Sequence, residues 1–274
     1  MIYAVYRLLY GSDFICESVR SIDPVCEKIF IFWTNRALGN CTSCIYKRQT
    51  VLFPEKFDNA IEKVQALNNP KIVLVEDYME NNKGQFTHVV NDLILPAYTK
   101  PNCILFIEHD HVFAEEQLAN ALREFHGSGY VHASTRQIEL WKTPFYCIPE
   151  RKRLSCVLWN MKNIDTIPPT DRHANMFKGT PFLNNTRVHN FGFCMSNEAM
   201  YWKHMTALGF SQKIGDSSPD PLWLDKWLNW EYTDPEKNSA LEISLGYQAN
   251  IKRADKYDVK DLPRIIKEKY NIYY

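Results

Sequence analysis

The chain has 274 residues, with 32 Lys and Arg balanced by 32 Asp and Glu, so no global charge draws it toward nucleic acid or an anionic membrane surface. Hydrophobic residues make up 45% and charged residues 23%, as in an ordinary soluble globule, and no apolar run approaches the ~20 residues that span a bilayer. This length buries a large core and suits one extended α/β domain or one domain with an appendage.

The first residues lack the basic, apolar and small-residue order of a secretory signal, and Met1 leads straight into a core strand. The expected setting is the cytoplasm, or a host cytoplasm for a viral chain, with reduced thiols. The eight cysteines are scattered, and only Cys41 and Cys44 form a Cys-x-x-Cys. With no second pair at zinc-finger spacing, free and partly buried thiols are the default; structural zinc or a redox pair is the alternative.

In chain order, Ile2 to Leu9 reads as a strand, and the turn Gly11-Ser12-Asp13 offers a Ser or Asp cap to a helix ending near Ile22. Lys28 to Trp33 is a second strand. Residues 34–53 read as a polar loop, and Pro54 opens a helix with Phe57, Ile61, Val64 and Leu67 at helical spacing. Lys71 to Val75 is a third strand ending in Glu76-Asp77, and a helix runs from Thr87 to Tyr98. Cys103 to Ile107 is a fourth, with a helix from Glu115 to Phe125 after it. Four strand-then-helix units predict an α/β fold, a mostly parallel sheet with helices on both faces.

After Gly129 the pattern becomes mixed. Tyr130 to Ala133, Ile138 to Ile148 and Val157 to Trp159 read as strands, whereas residues 160–187 read as a long polar loop of the kind that often serves as a lid. Val188-His189-Asn190-Phe191-Gly192-Phe193 leads into a helix from Asn197 to Ala207, and another helix starts at Pro221. The tail from Lys252 to Tyr274 alternates in charge and reads as a surface helix. A P-loop and a Gly-x-Gly-x-x-Gly turn are both missing, which counts against nucleoside-triphosphate hydrolases and nicotinamide enzymes.

The densest chemistry is Glu108-His109-Asp110-His111, directly after the apolar run Ile104 to Ile107. A buried parallel strand delivers such residues to the carboxyl edge of a sheet, where open α/β folds bind ligands. In extended chain Glu108 and Asp110 point the same way and His109 the opposite way. Two same-facing carboxylates suit Mg²⁺ or Mn²⁺; alternatively, Asp110 or His111 caps the following helix.

This order of elements, ending its first half in an acid-x-acid motif, resembles nucleotide-sugar-dependent glycosyltransferases of the GT-A fold, in particular the family 2-like group. The resemblance implies one GT-A-like domain over residues 1–274: a nucleotide-sugar half at 1–113, an acceptor and catalytic half at 114–251, and a tail at 252–274. It implies a metal, Mn²⁺ or Mg²⁺, held by Asp110 and Glu108, with His189 as a late third ligand or else a hydrogen-bonded core histidine. Glu108 stands where the family usually has Asp, so Glu108 and His109 also count as nucleotide-sugar residues. Arg7, Tyr10 and Ser12 after the first strand, Trp33 and Asn35 after the second and Asp77 after the third complete the expected donor site, with Lys47 and Arg48 as further phosphate candidates. An inverting member takes the acceptor proton on a carboxylate before a late helix, a position resembling Asp220, then Asp216, then Asp225; a helix cap is the alternative for Asp220.

The expected activity is therefore transfer of a sugar from a UDP-type donor to a hydroxyl, with a carbohydrate as the default acceptor. A hydroxymethylated DNA base is the outsider, raised by Arg151-Lys152-Arg153. Rival readings are a nucleotidyltransferase, which normally has the Gly- and Lys-rich phosphate loop that Tyr10-Gly11-Ser12-Asp13 lacks, and an inactive sugar-binding module.

Overall fold

A computed structural model of the chain describes residues 1–77, 85–148, 154–168, 180–215, 220, 222–238 and 253–273. β1 (Ile2–Leu8) leads through α1 (Ile15–Ile22) to β2 (Lys28–Trp33), a hairpin of β3 (Ser43–Tyr46) and β4 (Gln49–Leu52), then α2 (Ala60–Ala66) and β5 (Ile72–Glu76). α3 (Gln85–His88) continues as a π-helix over Val89–Ile94 before β6 (Cys103–Glu108), β7 (His111–Phe113) and α4 (Gln117–Ser128). β8 (His132–Trp141), β9 (Thr143–Cys147), β10 (Leu154–Asn160) and β11 (Phe182–Phe193) precede α5 (Asn197–Ile214), α6 (Trp223–Leu228), β12 (Asp255–Lys256) and α7 (Arg264–Lys269).

Among the described residues the main sheet has ten strands in the order β12-β9-β8-β10-β6-β1-β2-β5, with β11 joining β8 to β7. β1 runs parallel to β2 and β6, and β2 to β5, whereas β10 is antiparallel between β6 and β8. This large α/β sheet, parallel in its N-terminal half, mixed beyond it and flanked by helices, is the GT-A-like architecture that the resemblance implies.

Alternation along β1 divides the core. Ala4, Tyr6 and Leu8 pack with Ile15, Val19 and Ile22 of α1 and with Leu118, Ala121 and Phe125 of α4. Tyr3 and Val5 point to the other face, against Phe86, Val89, Val90 and Ile94. Burial on both faces explains why β1, β2 and β6 read as unbroken apolar runs. A third cluster, around Trp141, Phe191, Trp223 and Trp227, holds the second half together.

Several expectations are corrected. The loop expected at 34–53 contains the β3-β4 hairpin, turned by Lys47 and Arg48 at φ 49° and 65°. Two consecutive left-handed residues are the geometry of a two-residue hairpin turn, without the Asn-Gly that usually announces one. The helix expected from Pro54 begins only at Ala60, whose amide donates to Asp58 Oδ1, while Asp58 Oδ2 accepts from the Gly11 and Ser12 amides. Neither Ser12 nor Asp13 caps α1; Asp13 accepts the Ser196 amide instead, at 2.8 Å. The strand expected over 138–148 breaks at Lys142, φ 63°.

The loop expected over 160–187 gives way to strand at Phe182, where β11 begins. At its start Ile167 is buried and exchanges two hydrogen bonds with Asn91, at 2.8 and 2.9 Å, while residues 169–179 lie outside the described residues. The helix after Ser196 runs to Ile214, past the expected end at Ala207, and stops at left-handed Gly215. The tail is not a surface helix throughout: Asp255–Lys256 pairs with β9, and Leu262 and Ile266 are buried. No described helix is long and apolar enough to cross a membrane.

Candidate functional site

The parallel registers place Arg7 opposite Glu108, Leu8 opposite Trp33, and Trp33 opposite Glu76, so the carboxyl ends of four strands share one edge. At this edge the Arg7 guanidinium lies 3.9 Å from Glu108 Oε1. Tyr10 stands edge-on to Phe57 and to His109, with centroids 6.3 and 6.0 Å apart. A Cβ on Gly11 would lie 2.5 Å from His109 Cδ2, so only glycine lets the loop after β1 cross this ring. Asp58 Oδ2 fastens that loop by accepting from the Gly11 and Ser12 amides at 2.6 and 2.9 Å, and its Oδ1 accepts from Ala60 N at 2.9 Å.

Trp33, Thr34 and Asn35 border a cleft of ≈ 130 Å³ with Leu8, Lys56 and Asp58. Asp77 donates its amide to the Trp33 carbonyl at 3.0 Å, and its buried Oδ2 has no hydrogen-bond partner among the described residues. Arg7, Tyr10, Ser12, Trp33, Asn35, Asp77, Glu108 and His109 thus all lie at or just past the carboxyl ends of β1, β2, β5 and β6, as does the cleft.

Glu108, His109 and Asp110 do not continue as extended chain. Pairing with β1 ends at Glu108, and His111 already pairs with Asn190 of β11, so His109 and Asp110 form a turn between two registers. Neither Asp110 nor His111 caps a helix; α4 starts at Gln117 with no side-chain cap. Asp110 is 6% exposed and lies among cationic or protonatable groups: Lys203 Nζ at 3.8 Å, His111 Nε2 at 3.8 Å and His109 Nε2 at 3.9 Å. Burial lowers the His109 pKa; Asp110 and Glu108 pull it back up, and Lys203 adds to the lowering. A Cβ on Gly192 would meet Asp110 Oδ2 at 2.7 Å, Asn190 Oδ1 at 2.9 Å and Lys203 Nζ at 3.0 Å.

His189 is directed elsewhere. Its Nε2 pairs with Tyr257 Oη at 2.9 Å, and it lines a separate cavity of ≈ 470 Å³ with Gln137, Arg187 and Tyr257. Burial pushes its pKa down to about 4, with the Asp261 and Val112 carbonyls opposing. Among the described residues no three His, Cys, Asp or Glu side chains gather as a metal-holding group. The expected set of Asp110, Glu108 and His189 is not assembled, because His189 lies in the other cavity. The two remaining carboxylates each stand beside a side-chain cation, Arg7 or Lys203, an arrangement that does not fit Mn²⁺ or Mg²⁺; no step below runs through one. Cys41 and Cys44 are free; the Cys44 thiol contacts Met205 Sδ at 3.7 Å, and burial pushes its pKa up to about 11.

Asp220 accepts the Leu222 amide on Oδ1 and meets Lys226 on Oδ2, both at 2.9 Å. Burial pulls its pKa upward, but Lys226 and the Leu222 amide outweigh it and hold the carboxyl below its ordinary value. The helix behind it packs toward Gly192: Trp223 lies 6.0 Å from the Phe193 ring, and Trp227 Nε1 donates to the Phe193 carbonyl at 3.3 Å. Asp225 is ion-paired with Lys47 at 2.7 Å. Asp216 and Arg151 to Arg153 lie outside the described residues.

Two residues here were not expected from sequence, Asp58 and Lys203. Lys203 carried a readable signal, because it follows Ala199 and Met200 at helical spacing and so sits in an apolar row. Asp58 carried none, as two of its three amide partners, Gly11 and Ser12, lie on a distant segment.

No family model and no curated protein matches the chain. Solved structures with similar folds include S. aureus TarS residues 1–349 in complex with UDP-GlcNAc, at 12% identity and TM-score 0.41, covering 83% of this chain and 70% of that one. They also include the inositol-1-phosphate CTP transferase from T. maritima, at 8% identity and TM-score 0.35, covering 69% and 84%. A mycobacterial protein aligns over 94% of this chain and 83% of its own, at 9% identity and TM-score 0.44.

Proposed function

We propose that the protein is a glycosyltransferase that moves a sugar from a nucleoside-diphosphate donor, UDP by preference, to a hydroxyl group of a carbohydrate acceptor. One observation carries this reading: the Glu108-His109-Asp110 turn stands at the carboxyl edge of the parallel strands, beside the cleft bordered by Trp33 and Asn35. That edge is where open α/β sheets hold nucleotides. Trp33 and Asn35 border the nucleoside, and the buried Asp77 Oδ2, which has no hydrogen-bond partner among the described residues, is an acceptor suited to a ribose hydroxyl or base N–H. Arg7 and Ser12 lie toward the phosphates.

In the transfer, the acceptor oxygen forms a bond to the anomeric carbon as the bond to the diphosphate breaks with its electron pair. The acceptor proton passes to a carboxylate, for which Asp220 is the candidate, with inversion as the stereochemical result. A pKa held below the ordinary value keeps Asp220 ionised near neutral pH, at some cost in basicity. The net charge of zero favours a carbohydrate over a DNA acceptor.

A thermal-shift screen of UDP, GDP and TDP and their sugars tests the reading, since a ligand that binds only the folded state raises its melting point. A UDP-sugar that stabilises the protein and is slowly hydrolysed to UDP supports it. No stabilisation by any nucleoside diphosphate, or pyrophosphate release from a nucleoside triphosphate, would sink it; the latter would favour a nucleotidyltransferase.

A further inference from the structure

We propose that the positive charge facing the donor's diphosphate is supplied by the side chain of Lys203, so that UDP binds without a divalent cation. This assignment rests on the nucleoside-diphosphate reading above. Its starting point is the disagreement between the acid motif and a metal site. Glu108 lies beside Arg7 at 3.9 Å, and Asp110 beside Lys203 at 3.8 Å, so each carboxylate of the motif already has a side-chain cation next to it.

Lys203 is held for such a task. Its Nζ donates to the Gly192 carbonyl at 2.7 Å and stands 5.2 Å from the centre of the Phe193 ring. Its stem rises from α5 in an apolar row, and its side chain is 22% exposed, so the ammonium is partly shielded from solvent beside Asp110. A charge in such a position is screened less than one on an open surface. Glycine at 192 keeps the space beside it clear, because a Cβ there would lie 3.0 Å from Nζ and 2.7 Å from Asp110 Oδ2.

The chemistry follows from placement. A metal ion bound by Asp110 at coordination distance would have to share the carboxylate with an ammonium already 3.8 Å away, like charge beside like charge. A diphosphate meets the opposite situation: Lys203 stands beside Asp110 and Arg7 beside Glu108, and a Lys ammonium donates to phosphate oxygens as a point charge. Asp110 and the Gly192 carbonyl then act as positioning groups that aim Nζ.

Calorimetric titration of the full chain with UDP and with uridine, in EDTA and again with MnCl₂, tests this. UDP should bind in EDTA, with affinity changing by less than about threefold on adding Mn²⁺. Lys203→Gln should weaken UDP about tenfold or more and leave uridine unchanged, while Lys203→Arg keeps most of the UDP affinity. The assignment is overturned if EDTA abolishes UDP binding and Mn²⁺ restores it, or if Lys203→Gln binds UDP like the parent. It is also overturned if Lys203→Gln weakens uridine by the same factor, which marks a structural effect. The comparison of EDTA with Mn²⁺ uses the unaltered protein, so it decides even where Lys203→Gln fails to fold. Absence of UDP binding in both buffers removes the donor reading itself, and this assignment with it.

Discussion

Gly192 and Asp110 are so close that a single added methyl group would join them: a Cβ built on Gly192 lies 2.7 Å from Asp110 Oδ2. Gly192 lies in β11 and Asp110 in the turn between β6 and β7, and the contact exists because the Phe191 amide donates to the Asp110 carbonyl at 2.8 Å and locks β11 against the turn. Gly192→Ala therefore presses on Asp110, Asn190 and Lys203 together. Overpacking of this kind costs about 1–3 kcal/mol of stability. UDP affinity should fall as well, because the Lys203 ammonium must move, and calorimetry on the folded fraction reads that loss. A Gly192→Ala protein with parental melting point and parental UDP affinity would show that the close approach matters to neither.

Asp58 ties the loop after β1 to the start of α2 through three amides, those of Gly11, Ser12 and Ala60. Asp58→Ala leaves those donors to water or to nothing. The expected loss is about 2–3 kcal/mol, since hydrogen bonds to a charged acceptor are worth more than neutral ones. Asp58→Asn keeps one acceptor oxygen and should recover part of that loss. Chemical denaturation of the two variants measures the difference; equal stabilities would remove Asp58 as the fastener.

His189 supplies a pH dependence with a defined sign. Its pKa falls from 6.5 to about 4 on burial, so between those values the unfolded chain binds a proton that the folded chain does not. Its contribution to stability is thus intact above pH 6.5 and shrinks as the pH falls toward about 4. His189→Gln removes the titrating ring. The stability slope across that window should become shallower by up to ~1.4 kcal/mol per pH unit, whatever the variant loses at neutral pH. An unchanged slope between the two proteins would contradict the burial argument.

Asp220 separates a base from a cap. As the acceptor's base, Asp220→Asn leaves UDP affinity nearly unchanged and lowers turnover by about 10²–10⁴-fold. Asparagine still accepts the Leu222 amide, so the melting point should barely move, whereas Asp220→Ala should lose about 0.5–2 kcal/mol. Full turnover in Asp220→Asn, with the stability loss confined to Asp220→Ala, would leave Asp220 only its observed bonds to Leu222 and Lys226.

The parallel half of the fold is legible because its strands are short apolar runs buried on both faces, each followed by a helix of matching period. Ile29 to Phe32 and Ile104 to Ile107 could be read one strand at a time, since burial on two faces leaves little freedom in composition. The β3-β4 hairpin was not legible: Ile45 and Leu52 are 61% and 73% exposed, and its strand pair is held to α5 by Gln212, which bonds both the Ile45 amide and carbonyl. The tail departs from a surface helix for a similar reason, since Asp255 pairs with the distant Cys147 and Tyr257 with His189, 68 positions away, which leaves no local period.

By itself the sequence determined the α/β core and the carboxyl edge at which Arg7, Trp33, Asp77 and Glu108 emerge, because strand ends in a parallel sheet follow from local periodicity and the one-edge rule. Which of those polar residues meet was decided only by tertiary structure. The order Glu108-His109-Asp110 describes a carboxylate pair in extended chain, but competition between β1 and β11 for the two ends of the segment bends it into a turn. That turn sets Asp110 beside Lys203, a residue 93 positions further along, and the register of β11 that aligns His189 with Val112 and Ile138 sends the histidine into a different cavity. Asp110 and Lys203 become partners only when distant segments dock, and no spacing within the chain records that distance.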